Sequence, residues 1–272
     1  MPELTVMRGS VALSGEEAGE GAPVVLLHGL TATRRYVVMG SRALERGGHR
    51  VVAYDARGHG RSAPAGAAGD YGYDALAADL LAVLDDRGID RGVLAGASMG
   101  AHTIVRLALD HGDRVAGLVL ATPAYAPEGG DADLERWDAL AAGLRRGGVE
   151  GFVAAYGEPG VPEAWRETVV RVLRQRLAAH EHPDAVADAL EAVPRSRPFE
   201  AWEELAELAL PCVVVASRDE ADPGHPYAVG ERYAQAIPGA ELVSEPPGSS
   251  PLAWQGGQLS KVIAGLAARA GA

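Results

Sequence analysis

This 272-residue sequence predicts a doubly wound α/β fold with a mostly parallel sheet and an inserted helical subdomain. Three observations carry that prediction. Short apolar runs alternate with helical patterns at both ends of the chain, which is the signature of parallel strands joined by crossover helices. One such run, Val93 to Ala95, leads into Gly96-Ala97-Ser98-Met99-Gly100 and then a helical pattern with Ile104, Val105, Leu107 and Ala108 on one side. Finally, Tyr125 to Leu210 contains no convincing strand, a longer interval than one crossover needs.

In order along the chain, Leu4–Arg8 and Ser10–Ser14 read as an opening hairpin about Gly9, and Gly15–Gly21 as an acidic turn. Pro23–Leu27 is a buried strand ending in His28-Gly29-Leu30. A helix is expected over about Thr33–Arg46, then a strand over Arg50–Tyr54 and a turn-rich segment, Asp55 to Ser62. Tyr73–Arg87 places Leu76, Leu80, Leu81 and Leu84 on one helical face. After the Gly-x-Ser-x-Gly strand and helix comes a strand over Val115–Ala121. Prolines and Gly147-Gly148 then separate helical patterns over 131–146, 151–156, 162–180, 183–193 and 198–208. Alternation resumes with strand Cys212–Ala216, helix Tyr227–Ile237, strand Glu241–Ser244 and a closing helix, Leu252–Ala268. Residues 1–124 and 209–272 therefore form the core, and 125–208 a helical lid.

Composition narrows the function classes. Apolar residues make up 47%, as a globular chain requires. The net charge of −12 argues against nucleic-acid or anionic-membrane partners, which leaves a small molecule as the expected one. The single cysteine, Cys212, has no intrachain partner, no apolar run approaches a membrane span, and Met1–Gly9 lacks a signal-peptide core. A cytoplasmic setting is expected. No metal-ligand spacing and no P-loop lysine are present, so no cofactor is expected.

The chemistry centres on Ser98. Flanking glycines allow the tight turn that lifts a serine hydroxyl above a sheet, and the helix that follows aims its N–H groups at the same spot. His28-Gly29, Asp55-Ala56-Arg57-Gly58-His59-Gly60-Arg61-Ser62 and Gly96-Ala97-Ser98-Met99-Gly100, each following a strand, together resemble the α/β-hydrolase superfamily. The resemblance implies a nucleophilic Ser98, an oxyanion hole from the N–H groups of Leu30 and Met99, an acid after a later strand and a histidine after the last one. It also gives His28 a loop-bracing role; His59 is expected to be a turn residue among glycines, and Arg57, Arg61 and Ser62 to brace their loop.

For the acid, counting forward from Cys212–Ala216 favours Asp219 or Glu220, while counting back from the next helix favours Asp222, with Asp219 the runner-up. The histidine is missing. Ser249 or Ser250, in Glu245-Pro246-Pro247-Gly248-Ser249-Ser250-Pro251, stands where it should be, and His225 is the last histidine of the chain. Serine cannot serve as a general base near neutral pH. Four readings follow: an inactivating histidine-to-serine replacement introduced into the chain, a non-catalytic small-molecule-binding protein, a substitute base such as His102 or His225, or chemistry that needs no base. The expected function is a serine hydrolase acting on a small ester, thioester or lactone through an acyl-serine. His28, His102, Trp137, Trp165 and Trp254 are candidate pocket residues, and Phe152, Tyr156 and Trp202 candidate pocket walls.

Overall fold

The computed structural model describes residues 2–129, 134–218 and 222–271. Strands β1 (Glu3–Arg8) and β2 (Val11–Ala18) open the chain, followed by β3 (Ala22–Leu27), α1 (Ala43–Arg46), β4 (His49–Tyr54) and α2 (Tyr73–Asp86). Next come β5 (Gly92–Ala97), α3 (Met99–Asp110) and β6 (Val115–Ala121). Three helices, α4 (Leu134–Tyr156), α5 (Glu163–Leu177) and α6 (Pro183–Ala192), separate β6 from β7 (Cys212–Val215). The chain closes with α7 (Tyr227–Ala236), β8 (Glu241–Val243) and α8 (Gly256–Arg269).

One sheet runs in the order β1-β2-β4-β3-β5-β6-β7-β8. β2 is antiparallel to β1 and β4, and the remaining pairs are parallel. Period-two alternation divides the strands between two cores. Val25, Leu27, Tyr54, Leu94 and Leu118 face α2, α3 and α7. Val24, Leu26, Ala53, Val93 and Val119 face α1 and α8. From β3 the chain moves outward to β4 and then returns to lay β5 on the other flank of β3. That reversal opens a crevice beyond the C-terminal ends of β3 and β5, where open α/β sheets place ligands. The turns after these two strands carry His28-Gly29-Leu30 and Ser98.

Three expectations fail locally, one of them the helix over 198–208, which is only a 3₁₀ segment at Trp202–Glu207. The segment 15–21 is not simply a turn: β2 continues to Ala18 and pairs Gly15–Ala18 with Val51–Tyr54. Glu17 earns its place there by bonding the Arg50 and Arg87 side chains. The helix expected over 33–46 is interrupted, with a single 3₁₀ turn at Arg34–Tyr36 and then α1. Met39 (φ 48°) and Gly40 (φ 73°) are left-handed, which ends any helix. In addition, Asp55 holds the Arg34 backbone N–H and guanidinium, which fixes the turn independently of helix propensity. Farther on, the patterns expected over 131–146 (131–133 lie outside the described residues) and 151–156 join into α4, kinked at Gly147 and Gly148, the latter at φ 57°.

Candidate active site

Ser98 sits at φ 51°, ψ −114°, a conformation that serine seldom adopts. The packing around it accounts for both glycines. A Cβ on Gly96 would lie 2.6 Å from Ala101 N, and closer still to the Gly100 carbonyl. A Cβ on Gly100 would lie 2.6 Å from Leu27 C and 2.8 Å from its Cβ. The Ser98 N–H donates to Ala121 O at 2.9 Å, and its carbonyl accepts the His102 N–H at 3.1 Å. Among the described residues the Ser98 hydroxyl makes no hydrogen bond, and the side chain is partly exposed at the N-terminus of α3.

The turn after β3 lies directly against it. A Cβ on Gly29 would meet Ser98 Cβ at 3.4 Å. The Gly29 carbonyl accepts from His28 Nδ1 and from the Ala32 N–H, both at 2.9 Å. A trans peptide points its N–H opposite to its carbonyl, so anchoring Gly29 O leaves the Leu30 N–H on the other side of that peptide. Among the described residues neither the Leu30 N–H nor the Met99 N–H donates to a protein group. Two unclaimed donors beside a hydroxyl can stabilise a developing oxyanion.

The histidines divide clearly. His28 was a candidate pocket residue, but it is 2% exposed and both ring nitrogens are engaged, Nε2 accepting the Ala56 N–H at 2.9 Å. Burial pushes its pKa down to about 3. His59 is fully buried between the carbonyls of Arg57 (Nδ1, 2.9 Å) and Leu30 (Nε2, 2.7 Å). His180 accepts the Gly60 N–H on Nδ1 and donates from Nε2 to Thr31 O at 3.2 Å. His102 is likewise no open pocket group. Its Nε2 accepts the N–H groups of Ala124 (3.0 Å) and Tyr125 (3.1 Å), and its Nδ1 bonds Tyr73 Oη at 2.9 Å. Burial brings it too to about 3, with the nearby charge of His225 pushing in the same direction. A neutral imidazole with both nitrogens occupied cannot take a proton from Ser98.

An acid and base acting on Ser98 would have to come from elsewhere. Asp222 accepts from His225 Nδ1 at 2.8 Å, and both side chains are mostly buried. His225 Nε2 has no partner among the described residues. Asp219 and Glu220 lie outside the described residues. The loop after β8 is built differently from the expected one. Ser249 is exposed on a turn, with its N–H on Pro246 O at 3.1 Å, and the Ser250 carbonyl accepts from Gln255 Nε2. The buried carboxylate there is Glu245, which accepts from the Arg218 N–H at 2.5 Å, the Leu252 N–H at 3.1 Å and Ser217 Oγ at 3.3 Å. It ties the ends of β7 and β8 together.

With the sheet order and the strand–Ser98–helix turn established, comparison with known proteins is direct. The α/β-hydrolase fold family profile matches residues 22–155. A Variovorax paradoxus protein named as a carbamate hydrolase, RutD, is 31% identical over 84% of this chain and 85% of its own. The chain belongs to the α/β-hydrolase family. A thermophilic esterase from Thermogutta terrifontis superposes on this hydrolase with a TM-score of 0.81 and 25% identity, over 99% of each chain. An N-acyl homoserine lactone degrading enzyme, Est816, does so with a TM-score of 0.76 and 25% identity, over 97% of this chain and 99% of its own. No helix among the described residues is long and apolar enough to cross a membrane.

The helices between β6 and β7 share one apolar cluster with the hydrolase site. Leu140, Leu144, Phe152, Leu173 and Leu177 pack with Leu30 and Met99. Trp137 packs against this cluster, as does Tyr156, which stacks on Phe152 with ring centroids 6.3 Å apart. Trp202 is buried in the core beside Phe199 and Tyr233, and its Nε1 donates to Glu128. It is a core residue and not a pocket wall. Trp165 of α5 meets Trp254 edge-on at 6.3 Å, bridging the helical insertion to the loop after β8.

Two features were invisible at the level of motifs. One is the ring of Tyr73, Tyr125 and Tyr233 about His102. The other is Arg176 of α5, whose Nε is buried without a partner. A signal for it did exist, since 173, 176, 177 and 180 fall on one helical face and Leu173 and Leu177 are apolar.

Proposed function

We propose that this α/β-hydrolase cleaves a small ester, thioester or lactone through an acyl-serine on Ser98, with His225 as general base oriented by Asp222. The observation that carries the reading is the Ser98 turn: a strained serine with a free hydroxyl, flanked by two N–H groups without protein partners. Elimination supports His225. His28, His59 and His102 are buried and His180 is partly buried, all four with both nitrogens engaged, while the Asp222–His225 pair leaves one nitrogen free. His49 begins β4, at the amino end of the parallel strands whose carboxyl end carries Ser98, and His111 ends α3. His182 caps α6. The loop bearing Asp222 follows β7, two strands from β5 in the sheet order.

In this scheme His225 Nε2 removes the Ser98 proton as Oγ bonds to the acyl carbon. The N–H groups of Leu30 and Met99 bind the oxyanion. Collapse breaks the bond to the leaving group, which takes the proton from His225, and water repeats the sequence to release the acid and free Ser98. The helical insertion, 125–208, serves as a lid that dries the site. Relatives named for carbamate, lactone and ester hydrolysis all break an acyl–heteroatom bond, which agrees with this chemistry.

The test combines 4-nitrophenyl acetate turnover with fluorophosphonate labelling. Labelling of Ser98 and turnover lost in Ser98→Ala are expected. Absence of both labelling and turnover in the unaltered protein would leave a non-catalytic binding protein as the surviving reading, and turnover that persists in Ser98→Ala would remove Ser98 as nucleophile.

A further inference from the structure

Arg176 stands apart from the ion-paired surface arginines of the helical insertion. Arg145 pairs with Asp188 and Glu191, Arg166 with Glu158, Arg174 with Glu150 and Arg195 with Asp138, all at the surface. Arg176 points inward from the same helix as Arg174, and its Nε is buried with no hydrogen-bond partner. No carboxylate among the described residues lies within ion-pair distance of it. A guanidinium with a buried, unpartnered nitrogen is costly to a fold, and such groups persist chiefly where a ligand completes them.

Its position is fixed on the Ser98 side of the insertion. Leu177, the next residue, shares a cluster with Leu30 and Met99, and His180, one turn on, donates to Thr31 O. The charge of Arg176 reaches His28, beneath the oxyanion loop, and it is drawn to Asp222, whose carboxylate already accepts from His225. Its guanidinium carbon lies 5.5 Å from the centre of the Tyr36 ring, a cation–π contact that steadies the group and leaves its N–H edge free. At long range the net charge of −12 repels anions, so an anionic substrate needs a local cation.

We propose that Arg176 reads a carboxylate on the substrate, and that the substrate class is a small ester, thioester or lactone carrying a free carboxylate beside the scissile acyl group. Arg176 is a binding residue here, and Tyr36 positions it. The inference rests on the reading of Ser98 as the nucleophile.

The experiment is a pH-stat comparison of monomethyl succinate with methyl butyrate, a pair that differs by carboxylate against methyl. The unaltered protein should prefer the succinate in kcat/KM. Arg176→Gln should cut the succinate-to-butyrate ratio about 10- to 100-fold, as loss of a charge-assisted pair does, and Arg176→Lys should recover part of it. No preference in the unaltered protein, or an equal loss for both esters in Arg176→Gln, overturns the proposal while leaving Ser98 chemistry intact. If neither ester is cleaved and Ser98 is not labelled, the hydrolase reading fails first. Carboxylate reading is then judged by succinate titration in a calorimeter. Binding that weakens at least about tenfold in Arg176→Gln supports it, and no binding to the unaltered protein overturns it.

Discussion

The two sides of the site are built to different standards. On the β3–β5 side the backbone around Ser98 is held closely: glycines fit where a Cβ would collide, and His28, His59 and His180 bond the carbonyls of Gly29, Leu30 and Thr31. On the β7–β8 side the turn carrying Ser249 is exposed, and Glu245, the one buried carboxylate there among the described residues, braces backbone instead of orienting a histidine. The Ser98 side depends on backbone geometry, which tolerates few residues. The facing side, in the proposed scheme, depends on one side chain, which can be lost or moved while the fold remains. Catalytic competence therefore hangs on whether the Asp222–His225 pair replaces what the β8 loop lacks.

Acid should break the first side most strongly. His28, His102 and His180 are held near a pKa of about 3, against about 6.5 when unfolded. The unfolded chain then binds more protons between those values, so the stability they contribute is complete above pH 6.5 and drains as pH falls toward 3. With nearly three extra protons taken up, the slope near pH 4.5 should reach about 3–4 kcal/mol per pH unit. Urea denaturation at pH 7, 5.5 and 4.5 measures it, and a flat profile would remove these histidines as the bracing.

Two substitutions sharpen the contrast between the sides. Gly100→Ala forces a Cβ into the Leu27 backbone and should cost about 1–3 kcal/mol, with loss of Ser98 labelling even in the folded fraction. Glu245→Ala strands the Arg218 and Leu252 N–H groups and should cost a similar ~1–3 kcal/mol, yet leave Ser98 labelled. The smallest effect belongs to Ser249→Ala, at a solvent-exposed turn, where stability should change by less than about 0.5 kcal/mol.

The same contrast explains what could be read from the residues. Alternating apolar runs gave the parallel sheet, and Gly96 and Gly100 marked the turn at Ser98 because only glycine fits there. The helix expected over 33–46 failed because Asp55, distant in sequence, fixes Arg34. His102 and His28 carried residue types suited to a pocket, but their tyrosine and backbone partners come from other elements and leave no local pattern. Asp222 against Asp219 or Glu220 could not be decided by counting, because loop length after β7 is set by tertiary contacts. The structure brings Asp222 to His225, while the other two lie outside the described residues. Arg176 left only a faint trace, a charge on an otherwise apolar helical face.

The most direct measurement is the rate at which a fluorophosphonate labels Ser98 in the unaltered protein, in His225→Ala and in Ser250→Ala, with folding checked by circular dichroism. Loss of the general base should slow labelling in His225→Ala by about 100-fold or more, while Ser250→Ala stays within about twofold, the change expected of a residue outside the proton path. Labelling of His225→Ala at the unaltered rate, or a loss confined to Ser250→Ala, would contradict the transfer of the base from the β8 loop to the β7 loop.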